Sequence, residues 1–148
     1  RVAVVTANNV AGGRAVVALP SAPPPGGGAE ALAASLADLL GEEGRASVDF
    51  ALGVLADKDY PAMVRAVAPW ARSFSVYAPK SPRALAADEL EGCVREVLAE
   101  EARAGEVPVR TCGAPADALR AARDAAGPEG CVVAFGTLYA IADLMGAL

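Results

Sequence analysis

Lysine is the rarer cation of this sequence, with two copies among thirteen basic residues, and both follow apolar runs. Lys58 stands between Asp57 and Asp59, behind Ala51-Leu52-Gly53-Val54-Leu55-Ala56 and just ahead of Pro61. Lys80 opens Lys80-Ser81-Pro82-Arg83, behind Phe74 to Tyr77. A third polar stretch, Gly136-Thr137 with Tyr139 one turn on, follows Cys131 to Phe135. An ammonium, a fork-shaped guanidinium and a hydroxyl at a helix start are the chemistry of carboxylate or phosphate capture. No catalytic residue and no metal site is assigned. Each stretch also has a plainer reading: loops are polar and carry cations for solubility, and Asp59 can simply cap a helix.

The elements that would position these residues alternate. Val2 to Val5 and Ala15 to Leu19 read as strands joined by a turn-forming segment, and a hairpin is the simplest pairing. Pro20 to Gly28 can be neither helix nor central strand. A helix is expected over about Ala29 to Leu40, stopped by Gly41, and Glu42 to Arg45 form a polar loop. Then come a strand over Ser47 to Leu55, a helix over Pro61 to Ala68, a strand over Phe74 to Tyr77 and a helix over about Ala87 to Ala104. A strand over Val107 to Thr111, a helix over about Pro115 to Ala126, a strand over Cys131 to Phe135 and a helix over Thr137 to Met145 complete the pattern. Strands separated by helical crossovers predict an α/β fold, a mostly parallel sheet with an antiparallel N-terminal strand pair and helices on both faces. In such sheets ligands lie beyond the carboxyl ends of the strands. Lys58, Arg83 and Thr137 are therefore expected on one rim, bordering a cleft that no carboxylate of the chain fills, with Asp57, Asp59, Lys80 and Tyr139 at its edge.

Composition bounds the partners. At 148 residues and 54% hydrophobic, the chain is expected to be one domain with a real core. A net charge of −5 with no basic run argues against nucleic acid and anionic membrane. No apolar stretch is long enough to span a bilayer, and no charged-then-apolar signal is read in the first residues given, so neither a span nor a targeting segment is expected within them. Cys93, Cys112 and Cys131 are odd in number and widely spaced, which reads as reduced, mostly buried thiols in the cytoplasm. Histidine is absent, which excludes His-based triads and most zinc sites.

Two motif searches give little. No G-x-x-x-x-G-K-[ST] occurs, so the sequence carries no P-loop. Gly26-Gly27-Gly28-Ala29-Glu30-Ala31 matches G-x-G-x-x-A, but three prolines precede it where a tight turn belongs. The acid about 20 residues on is Asp49, near the start of its strand rather than its end. A flexible connector is the better reading.

Three segments carry a family resemblance: Gly53-Val54-Leu55-Ala56-Asp57-Lys58-Asp59, Ser81-Pro82-Arg83-Ala84-Leu85 and Phe135-Gly136-Thr137-Leu138-Tyr139-Ala140-Ile141. Their order and spacing resemble those of the C-terminal domain of bacterial folylpolyglutamate synthase/dihydrofolate synthase, ATP-dependent amide ligases of the Mur ligase superfamily. The resemblance extends over Arg1 to Leu148 and implies a Rossmann-like sheet with one antiparallel strand. It also implies a larger N-terminal partner domain carrying the P-loop, the magnesium site and the folate pocket, over which this domain closes. In that family an acyl phosphate on the acceptor is attacked by the amine of glutamate. By resemblance, Lys58 and Thr137 would hold the glutamate carboxylates, and Arg83 sits where related ligases place an arginine on the amino-acid substrate. ATP and magnesium are implied for the intact enzyme and neither for this domain alone.

The sequence departs from the family at one place. The strand matching Ala15 to Leu19 there leads into Asp-Gly-Ala-His-Asn-Pro, whose Asp and His contact the nucleoside. Here Leu19 is followed by Pro20, Ser21 and Ala22, a degenerate nucleotide-binding loop, and no histidine stands in. Two functions follow as expectations. One is a ligase domain, inactive alone, that contacts glutamate and nucleotide. The other is a non-catalytic small-molecule or anion-binding module on the same fold.

Overall fold

The computed structural model describes residues 3–6, 15–18, 37, 41–57, 59–103, 105–127 and 131–135. Among these residues six strands, β1 (Ala3–Thr6), β2 (Ala15–Ala18), β3 (Val48–Leu52), β4 (Ala71–Val76), β5 (Val109–Thr111) and β6 (Cys131–Phe135), are placed, and from β3 onward they alternate with three helices. The helices are α1 (Tyr60–Val67), α2 (Ala87–Glu100) and α3 (Pro115–Ala126). β3 to β6 form one sheet in the order β5-β4-β3-β6, and every neighbouring pair runs parallel. This is a Rossmann-like α/β arrangement. The expected helices over Ala29 to Leu40 and Thr137 to Met145 lie outside the described residues, apart from Ala37, whose carbonyl accepts from the Gly41 N–H at 2.9 Å.

The first two strands correct the sequence reading. β1 pairs with β2 in parallel, Ala3 opposite Ala15 and Thr6 opposite Ala18, so the expected antiparallel hairpin does not form. Eight residues separate the strands, more than the two to five of a usual hairpin loop. At roughly 3.3 Å per residue they reach easily back along a four-residue strand. Ala3-Val4-Val5 and Ala15-Val16-Val17-Ala18 are also apolar throughout, which is the pattern of parallel strands covered on both faces rather than of an alternating hairpin. β2 lies beside β6 as well as β1.

Every residue of β3 is buried, as expected of a central strand. Its alternate side chains serve two cores. Phe50 and Leu52, with Phe74 and Val76 of β4, meet Val64 and Val67 of α1 and Leu90, Val94, Val97 and Leu98 of α2. The Phe50 and Phe74 rings stack with centroids 5.3 Å apart, in register across the parallel pair. On the opposite face Ala51, Tyr77, Val132 and Ala134 meet Ala118, Leu119 and Ala122 of α3. Helices therefore cover both faces. Small alanines on that second side let α3 approach the sheet closely.

A bulge separates the two ends of the β3–β4 ladder. Val48 opposes Ala71 but Asp49 opposes Ser73, which leaves Arg72 as the extra residue. The bulge lets both Arg72 and Ser73 reach the fully buried Asp49. Arg72 Nε lies 3.1 Å from Asp49 Oδ2, and Nη2 donates on to the Ala125 carbonyl at 3.0 Å, near the end of α3. A buried carboxylate is tolerated only when paired in this way. Asp49 thus ties strand to strand and strand to helix.

Candidate functional site at the carboxyl ends of the strands

β4 lies on one side of β3 and β6 on the other, so the chain direction across the sheet reverses at β3. The crevice beyond the carboxyl ends at such a reversal is where open α/β sheets take ligands. The turn after β3 contributes Asp57, and the turn after β4 contributes Lys80 and Arg83.

α1 begins as its sequence dictates. Asp59 is the N-cap, its Oδ1 accepting from the Ala62 N–H at 3.4 Å, with Pro61 in the first turn. A proline there forgoes an N–H that has no partner inside a helix. The exposed Asp59 is thus committed to the helix end.

The two turns are stitched together by backbone. Leu55 and Ala84 form an antiparallel bridge. The Ala56 N–H donates to the Arg83 carbonyl at 2.8 Å, and the Leu85 N–H donates to the Val54 carbonyl at 3.0 Å. Leu55 and Leu85 are buried beneath this short ladder. Within the second turn, the Ser81 hydroxyl oxygen accepts from the Arg83 N–H at 3.2 Å. Above the ladder Arg83 Nη2 pairs with the Asp57 carboxylate, both side chains remaining more than half exposed.

That pair corrects one expectation. A carboxylate from within the chain does engage Arg83, because the ladder places residues 56 and 83 side by side and brings opposite charges on adjacent turns together. Lys80 is exposed in the same turn. Lys58, Thr137, Tyr139, Pro20, Ser21 and Ala22 lie outside the described residues. Of the expected rim, the structure therefore places Asp57, Asp59, Lys80 and Arg83, and joins Asp57 to Arg83. The backbone ladder and the Asp49–Arg72–Ser73 cluster were not read from the sequence. An acid near the start of an otherwise apolar strand was the available signal for the cluster.

Behind the turn, Gly53 lies against the buried Tyr77 ring: a Cβ on it would fall 2.3 Å from Tyr77 Cε2. The thiols are less enclosed than expected, since Cys93 and Cys112 are free and only half-buried. Partial burial still pushes both above the ordinary thiol range, with Glu96 adding to the effect at Cys93 and Arg110 opposing it at Cys112. Neither is an activated nucleophile. Among the described residues no group of three His, Cys, Asp or Glu side chains is placed to hold a metal ion. No helix among them is long and apolar enough to cross a membrane.

The same architecture recurs in solved enzymes. The chain superposes on Mycobacterium tuberculosis folylpolyglutamate synthase complexed with ADP with a TM-score of 0.63 and 27% identity, covering 81% of this chain. It resembles a folylpolyglutamate synthase C-terminal domain. Escherichia coli FolC in complex with DHPP and ADP gives a TM-score of 0.64 at 22% identity over 80% of this chain. Bifunctional folylpolyglutamate synthase/dihydrofolate synthase from Yersinia pestis, complexed with AMPPNP and Mn ion, gives 0.62 at 22% over 81%. At 22% identity these last two establish the shared fold alone. The chain spans only 27%, 25% and 25% of the three solved chains, about a quarter of each enzyme. No protein-family model and no curated protein matches the sequence.

Proposed function

We propose that the chain is the glutamate- and nucleotide-contacting C-terminal domain of an ATP-dependent amide ligase that adds glutamate to folates, inactive by itself. The observation that carries this reading is the likeness to folylpolyglutamate synthase at 27% identity over 81% of the chain, supported by the joined turns of Asp57 and Arg83 at the edge where sheets of this kind take ligands. On this reading residues 1–148 form one domain. The P-loop, the magnesium site and the folate pocket belong to an N-terminal partner domain in a cytoplasmic enzyme that engages neither nucleic acid nor membrane. Solved relatives complexed with ADP, or with AMPPNP and Mn ion, support ATP and a divalent cation in the intact enzyme. ATP, when bound, supplies the phosphoryl group that activates the acceptor's carboxylate.

The residues of this chain bind and orient. Arg83, Lys58 and Thr137 take the carboxylates of glutamate through charge-assisted hydrogen bonds, and Asp57, Asp59, Lys80 and Tyr139 edge the site. Holding the amine in line with the activated carboxylate is a positioning contribution, and positioning is useless without the activated partner. A second reading is kept by one feature: Pro20, Ser21 and Ala22 stand where the family's nucleoside contacts would be, and no histidine exists to replace them. A chain that binds anions without ligating them would follow.

A coupled ADP-release assay with folate, glutamate and magnesium separates the readings. The chain alone is expected to stay at background, and the complete protein with a P-loop domain is expected to release ADP only when glutamate is present. Turnover by the chain alone would contradict the proposed division of labour. A complete protein that binds glutamate but never turns over would favour the binding module.

A further inference from the structure

The Asp57–Arg83 pair differs from an ordinary surface ion pair in what lies beneath it. Two long side chains meeting across solvent normally gain little, because both must be ordered to meet. Here the backbone has already done most of that ordering. The Ala56 N–H and the Arg83 carbonyl are hydrogen-bonded at 2.8 Å, Leu55 bridges Ala84, and the Leu85 N–H reaches Val54 at 3.0 Å. Residues 56 and 83 therefore lie side by side in a fixed ladder, and Asp57 is one position on from that pair. The Arg83 side chain is 61% exposed and touches Asp57 through Nη2. A guanidinium carries five N–H donors in a rigid plane. Among the described residues no other acceptor takes them up, and Nε and Nη1 remain available on a head group whose direction is set.

We infer that Asp57 is a positioning residue for the amino-acid site: it holds the Arg83 guanidinium at the rim, so that an incoming carboxylate meets donors already oriented. The inference rests on the amino-acid reading given above and goes beyond it in giving Asp57 a role. The competing role for an acid so placed is to block Arg83 as an internal carboxylate. A single contact on one terminal nitrogen favours holding over blocking, because it leaves most of the fork uncovered. The two roles have opposite consequences. Removing a negative charge beside an anion site raises anion affinity through the field alone. For a ligand that carries carboxylates and no ammonium, such as glutarate, a loss of affinity on removing Asp57 therefore has to come from orientation.

The test is a titration of the isotopically labelled full chain with glutamate and, in parallel, with glutarate, which lacks the ammonium that Asp57 could contact directly, followed at the backbone amides of Ala56, Arg83 and Ala84. Arg83→Ala should abolish the shifts. Asp57→Ala should weaken binding about five-fold, as expected when the ligand rather than the protein must order one flexible side chain. Asp57→Asn keeps an oxygen acceptor for Nη2 and should recover part of the loss, while the spectrum and melting temperature stay those of the parent. Unchanged or tighter glutarate binding in Asp57→Ala, with Arg83→Ala still abolishing it, would overturn the positioning role and leave the amino-acid site standing. Arg83→Ala with undiminished binding would overturn both, by showing that glutamate binds elsewhere.

Discussion

Gly53 is the residue at which site and core are tied most tightly. The ring of Tyr77, fully buried under α3, occupies the space where any side chain at position 53 would have to go. Gly53→Ala is expected to cost about 1–3 kcal/mol through forced displacement of that ring. A denaturant melt reads it as a lower midpoint at unchanged slope, and an unaltered midpoint would show that Tyr77 moves freely. How legible such details were depended on their range in sequence. Asp59 and Pro61 were read as a helix start because a cap is made by residues three apart. The pairs Asp57–Arg83 and Asp49–Arg72 join residues 26 and 23 apart. No local rule names such partners. They exist only once β3 and β4 lie side by side.

Punctuation at both ends placed the helix expected over about Pro115 to Ala126 at its observed bounds, whereas the helix expected over about Ala87 to Ala104 ends at Glu100, short of Gly105. α3 runs Pro115–Ala126, opened by a proline in its first turn and closed by Gly127 at φ 70°, ψ −175°, a conformation open essentially to glycine. Gly127→Ala should therefore destabilise the fold by about 1–3 kcal/mol, measurable as a fall in melting temperature, and a neutral outcome would mean that the helix end re-forms differently. β6 was bounded correctly by its composition. Where punctuation was weaker the boundaries moved: the strand expected at Phe74 to Tyr77 begins at Ala71, straight after a 3-10 turn over Ala68–Trp70 that absorbs Pro69. The direction of β1 against β2 was misread for a different reason. Turn-forming residues show that a chain changes course, but they do not say whether it returns alongside itself or crosses back to its starting end. The pairing itself decides that, and β1 lies parallel to β2; the apolar runs Ala3-Val4-Val5 and Ala15-Val16-Val17-Ala18 fit that arrangement.

For the whole molecule, one consequence of topology matters most. Parallel strands joined by helices bring turns that are distant in sequence to one edge, which is why Arg83 and Asp57 meet although a helix and a strand intervene. The alternation that makes this so was legible from the sequence, and the solved folylpolyglutamate synthases share it. The central claim is that this edge takes the amino acid in a glutamate-adding ligase. Its most direct measurement is the glutamate dependence of ADP release in the complete protein, with and without Arg83→Ala. The account predicts that the substitution raises the glutamate KM by at least about ten-fold, the effect of losing roughly 1.4 kcal/mol of charge-assisted binding, and leaves the KM for ATP unchanged. A glutamate KM equal to the parent's, or ADP release indifferent to glutamate, would contradict it.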